Sequence, residues 1–108
     1  MEISFKEFEK LDLRIGKVLA AEDVEGSINL IRMDVDFGTE KRQAVAGLKQ
    51  WYKAQDLVGN EYMFICNLEK RKLMGLESQA MIFAADDEKG NIVLIKPEKD
   101  VEVGSKVS

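Results

Sequence analysis

Between Leu30 and Phe37 apolar and polar residues alternate without a break. Ile31, Met33, Val35 and Phe37 fall on one side, and Arg32, Asp34 and Asp36 on the other. A period of two is that of an extended strand with one face buried and one in water, so this segment demands a sheet covered on one side. Other short segments carry the same demand. Leu11 to Ala21 alternates at Leu11, Leu13 and Ile15, reaches Gly16, and resumes one residue out of phase at Val18 and Ala20. An isolated glycine at such a shift predicts a bulge or sharp bend that curves the strand. Gly38-Thr39 turns the chain into a third strand, Arg42 to Ala46. Tyr62 to Leu68 and Ala80 to Ala85 read as a fourth and a fifth, and Asp86 to Asn91 as a polar hairpin loop leading into Ile92–Ile95.

Two short helices are expected. Ser4-Phe5-Lys6-Glu7 has the S-x-x-E spacing of a capping box, opening a helix that carries Phe5 and Phe8. Leu48, Trp51 and Tyr52 recur at spacings of three and four, which places a helix over Gly47 to Ala54 at one end of the sheet, with Trp51 in the core rather than serving as a base-stacking platform. Five short strands with a helix between the third and fourth is the order of the all-β OB-fold, a five-stranded Greek-key barrel. Its first-to-second and fourth-to-fifth strand loops frame a binding face. Those loops are Asp23 to Asn29 and Glu69 to Glu77, and the 108 residues form one expected domain, 1–108.

The second loop holds three adjacent cations, Lys70, Arg71 and Lys72, in a chain whose net charge is −4. Residues 1–27 carry four cations against seven anions, residues 28–82 eight against seven, and residues 83–108 four against six. The middle of the chain is therefore relatively basic between acidic ends, and any polyanion site must be a local patch. The function classes left open are narrow. With no His, no C-x-x-C pair, no G-x-x-x-x-G-K and no G-x-G-x-x-G, imidazole catalysis, the usual zinc sites and the common nucleotide-binding loops are not expected. The carboxylates are scattered, so neither a catalytic site nor a metal or other cofactor is expected. The single Cys66, inside the apolar run YMFIC, reads as a small buried hydrophobe. No apolar run spans a bilayer and the charged N-terminus is unlike an export signal, so a cytoplasmic protein with no membrane partner is expected.

Six segments occur in an order and spacing shared by one family: DLRIGKV (Asp12–Val18), VDFG (Val35–Gly38), RQAVAGL (Arg42–Leu48), DLVG (Asp56–Gly59), NLEKRKLMGLESQAM (Asn67–Met81) and AAD (Ala84–Asp86). From about Leu11 to Val107 the chain resembles the structure-specific tRNA-binding domain. That domain occurs as a free-standing dimeric protein and as an appendage or separate beta subunit of methionyl-tRNA synthetase. It is also similar to the export-associated chaperone of bacteria. The resemblance implies a non-catalytic OB-fold homodimer that grips tRNA by shape, with methionyl-tRNA synthetase as a further partner in protein biosynthesis.

Carried onto this sequence, the resemblance places the tRNA contacts at Asn67, Lys70, Arg71, Lys72, Ser78 and Met81, with Asn29 and Arg42 beside them. Met81 reads equally as a barrel residue, and Ser78 as a turn-capping hydroxyl. Many members have Lys where Asn29 stands, Ser at Ala46, Pro at Lys70 and Gly at Ala80. Residues 91–108 exceed what five strands require. With Phe5 and Phe8, the apolar Ile92, Leu94, Val101 and Val103 would cover the barrel's own edge or meet a second copy as a dimer interface. A chaperone-like or assembly-factor module that binds protein is the alternative reading.

Overall fold

The computed structural model describes residues 1–108. Helix α1 (Phe5–Phe8) is a single turn whose N-cap Ser4 accepts a hydrogen bond from the Glu7 amide at 3.2 Å, and none of its residues is buried. Strand β1 (Leu13–Asp23) pairs antiparallel with β2 (Ile31–Asp36) through its second half and with β4 (Glu61–Ile65) through its first. Strand β3 (Lys41–Ala46) continues the meander from β2, and the short helix α2 (Ala54–Leu57) lies between β3 and β4. After β4 come a separate hairpin, β5 (Arg71–Leu73) and β6 (Leu76–Ser78), then β7 (Met81–Ile82) beside β4, and a second hairpin, β8 (Ala84–Asp86) with β9 (Ile92–Leu94). The main sheet runs β3-β2-β1-β4-β7 and curls so that its outer members, β3 and β7, approach each other. This is the nearly closed, five-stranded all-β barrel of the OB type.

The inward face is the one the alternation marked. Ile31, Met33, Val35 and Phe37 are buried with Val18, Leu57, Tyr62, Phe64 and Ile82 in one core, where the Phe37 and Phe64 rings meet edge to face at 5.3 Å. Burying such side chains contributes about 1.5–3 kcal/mol each. Cys66 is buried in this same core, and its thiol is pushed up in pKa chiefly by desolvation, so it stays protonated at neutral pH.

Six expectations need correction. The bulge in β1 lies between Val18 and Ala20, where the register to β2 slips. Gly16 is instead a buried contact point. The helix over Gly47 to Ala54 is a turn around Leu48 followed by α2, because the amides of Trp51 and Tyr52 both return to the Leu48 carbonyl. Trp51 is not core; it is 40% exposed and its indole N–H donates to the Gly90 carbonyl at 2.8 Å. The fourth strand stops at Ile65, and the fifth is broken at Phe83, whose amide turns back to the Met63 carbonyl. Leu94, expected at an interface, is buried in the chain's own core.

The C-terminal segment covers the barrel's own edge. Gly104 and Ser105 exchange backbone bonds with Ile15, and the Val107 amide donates to Leu13. The Glu61 carboxylate, buried on β4, accepts from the Val101 amide at 3.1 Å. No helix is long and apolar enough to cross a membrane.

Candidate nucleic-acid interface

The basic run begins a two-stranded ribbon and is not a loose loop. Arg71 faces Ser78, Lys72 faces Glu77 and Leu73 faces Leu76, with Met74-Gly75 as the two-residue turn. Both turn residues have positive φ, +52° and +80°, the mirror-image geometry that matches the twist of a hairpin. Because neighbours on a strand point to opposite faces, the ribbon divides the three cations. Lys72 shares a face with Glu77, and Lys70 Nζ lies 3.9 Å from a Glu77 oxygen. Arg71 is on the other face. Neither Arg71 nor Lys72 takes part in any of the six ion pairs within 4.0 Å, and all three cations are exposed. With Glu69 and Glu77 included, residues 69–78 carry +1, from three cations and two anions.

On the Arg71 face, Leu68, Leu73, Gln79, Ala80 and Met81 line a narrow cleft of about 50 Å³. It has room for a water or two and not for a whole base. What this face leaves accessible is the guanidinium and the exposed edges of Leu68 and Met81, which are 50% and 44% accessible.

Three expected contact residues already have partners. The Ser78 hydroxyl accepts from the Val45 amide at 3.0 Å and donates to the Ala80 carbonyl at 3.0 Å. Arg42 donates to the carbonyls of Cys66 and Gln79 and to Glu40. Asn67 accepts from the Asp12 amide at 2.8 Å and donates to the Lys10 carbonyl at 2.6 Å, tying the end of β4 to the segment before β1. These groups position the ribbon. Two residues missed from the sequence do so as well: the Gln79 side chain accepts from the Gln43 amide, and the Gln43 side chain donates to the Glu77 carbonyl, both at 2.9 Å. Side-chain amides and a hydroxyl thus replace ladder bonds along the seam between β3 and residues 77–80. The signal for them was weak, since both glutamines sit in polar stretches whose partners are distant in sequence.

The first loop stands opposite. Asn29 is exposed, its carbonyl accepts from the Lys49 amide, and its side chain packs against Gly47. Lys49 Nζ donates to the Ser27 carbonyl at 3.0 Å and sits 3.8 Å from Asp23. The ribbon tip reaches this loop: the Met74 methyl lies 3.7 Å from where a β-carbon on Gly26 would sit. Lys70, Arg71, Lys72 and Met81 are therefore gathered on one ribbon and its root, with Asn29 on the neighbouring loop. Among the acidic and sulfur side chains, no group of three or more is arranged to hold a metal.

Among the expected interface residues, Phe5 is 72% exposed with the Phe8 ring 6.2 Å away, and Val101 is exposed. Val103 is half-buried and Ile92 packs partly against the core. Val93 and Ile95, flanking the buried Leu94, are the exposed members of β9 and its end.

The family model described as "Putative tRNA binding domain" matches residues 13–106. The methionine–tRNA ligase of Methanocaldococcus jannaschii is 48% identical over 106 residues, which are 98% of this chain and 16% of the ligase; the chain thus spans about a sixth of the length of the curated relatives it matches. A MetRS-related protein from Pyrococcus horikoshii superposes with a TM-score of 0.94 at 36% identity, and the chaperone CsaA from Bacillus anthracis with 0.92 at 31%, each covering all of both chains. The chain belongs to the tRNA-binding domain family.

Proposed function

We propose that this member of the tRNA-binding domain family binds folded tRNA without transforming it, through the β5–β6 ribbon and the facing loop, as a homodimer that serves methionyl-tRNA synthetase as an accessory module. The observation that carries the reading is the ribbon itself: a hairpin separate from the main sheet presents Arg71 and Lys72, neither in an ion pair within 4.0 Å, on an otherwise acidic molecule. Phosphate contacts of this kind position a nucleic acid without reading its bases, and the shallow cleft fits recognition by shape. Arg71 supplies a planar fork suited to one phosphate, and Lys70 and Lys72 supply point charges. Ser78, Asn67 and Arg42 act by holding the ribbon in place. A dimer would cover Phe5, Val93 and Val101 and would bring two modest basic ribbons to one ligand, raising affinity without new contacts.

A salt series of filter binding with bulk tRNA tests this. The logarithm of affinity should fall linearly with log salt, and Lys70→Ala/Arg71→Ala/Lys72→Ala should weaken all tRNAs alike. Salt-independent binding, or an unaffected triple variant, would remove the site. The second reading, a protein-binding module, draws on the likeness to the chaperone and on the exposed apolar side chains. A pulldown recovering polypeptides but no RNA would favour it.

A further inference from the structure

We propose that Ile28 and Met74 form an apolar pair, at the meeting point of the first loop and the ribbon tip, that packs against an unpaired base of the bound RNA. Both side chains stand on hydrogen-bonded backbone, Met74 at the turn of the paired ribbon. The loop around Ile28 is closed by the Val24 amide on the Leu30 carbonyl at 3.0 Å and by Ser27, whose hydroxyl accepts from the amides of Asn29 and Leu30 at 3.1 and 3.0 Å. Yet Ile28 is 87% exposed. A β-branched side chain on a fixed loop loses little further freedom when a ligand covers it.

Met74 is more telling. It is the one non-glycine residue with positive φ, at +52°. Asn or Gly would take that position in a two-residue turn with less strain. The strain gains no burial, because Met74 remains 60% exposed. Its methyl reaches the first loop at Gly26, two residues before Ile28. Met74 therefore sits directly beyond Arg71 and Lys72 on the ribbon, and Ile28 is on the loop that the ribbon tip reaches. Exposed apolar atoms next to unpartnered cations match a ligand that carries anionic phosphates and an accessible ring face together. In a paired A-form helix, side chains do not reach the base faces, so the base concerned is unpaired. This inference rests on the RNA reading above and extends it from phosphate to base contact.

The test uses the full chain with Ile28→Asn/Met74→Asn, a tRNA transcript, and a blunt RNA duplex with the same number of nucleotides. Asn tolerates the left-handed conformation at position 74, so the melting temperature should equal or exceed that of the parent. Affinity for the tRNA should fall about tenfold, the effect of losing one base contact. Affinity for the duplex and the slope of log affinity against log salt should not change, since no cation is removed. Unchanged tRNA affinity, or equal losses on both RNAs, would overturn the proposal. So would a variant that keeps tRNA binding and loses binding to reduced, carboxymethylated α-lactalbumin, which would give the pair to polypeptides. The triple cation variant run in parallel separates the two levels. If it binds tRNA like the parent, the nucleic-acid site itself is wrong. If it loses tRNA while the asparagine variant does not, only the base contact is wrong.

Discussion

A β-carbon on Gly16 would lie 2.6 Å from Cε1 of Phe37 and 2.5 Å from Cγ1 of Val35. The first strand can cross the packed face of β2 only because that position has no side chain. Gly16 does not have positive φ, so space and not backbone freedom is what it supplies. Gly16→Ala should overpack the site and lower stability by about 1–3 kcal/mol. A urea melt would show this as a lower midpoint at an unchanged slope.

The ribbon's charges are unequal. Lys70 is within 3.9 Å of Glu77 and Lys72 stands across from it, whereas Arg71, on the other face, makes no ion pair within 4.0 Å. Arg71→Ala should therefore weaken tRNA binding more than Lys70→Ala, and should reduce the salt slope by about one. Glu77→Gln should strengthen binding by roughly threefold at low salt. That gain should vanish near 1 M salt, where the screening length falls to about 3 Å. Fluorescence anisotropy with labelled tRNA reads both.

Ser78 is half-buried, with its hydroxyl bonded to two backbone groups. Ser78→Ala leaves the Val45 amide without its acceptor and should destabilise the fold by about 1–2 kcal/mol. If the hydroxyl acts only as a seam, the salt slope of tRNA binding stays that of the parent. Calorimetry and the binding series together check this.

Acid should loosen the β8–β9 turn in a defined order. The Asn91 side-chain amide, together with the amides of Asn91 and Lys89, holds the Asp87 carboxyl below the usual carboxylate range. With the folded-state pKa depressed, the contribution of these bonds is complete above the ordinary carboxylate pKa and is lost as pH falls through the depressed value. Asn91→Ala should raise the Asp87 titration midpoint, read by carbon NMR of the carboxyl. Trp51, bonded to Gly90 in the same turn, should shift its fluorescence over the same pH range.

Much of this architecture was legible in the chain itself. The period of two in Leu30–Phe37 specifies which side chains face inward, and Ser4 with Glu7 marks the first helix start, because both signals operate over a few residues. The adjacent cations and the lack of His are likewise properties of the chain alone. Other roles depended on closure of the barrel. The hydrogen-bond partners of Arg42, Asn67 and Ser78 are carbonyls and amides 24 to 57 residues away, which only the folded chain brings within reach of them. The ribbon turn at Met74-Gly75 decided which cation shares a face with Glu77. Trp51 and Leu94 exchanged the exposed and buried roles expected of them. Hydrophobic period gives the direction in which a side chain points, whereas what it meets there depends on segments remote in sequence, and only the closed sheet brings those together.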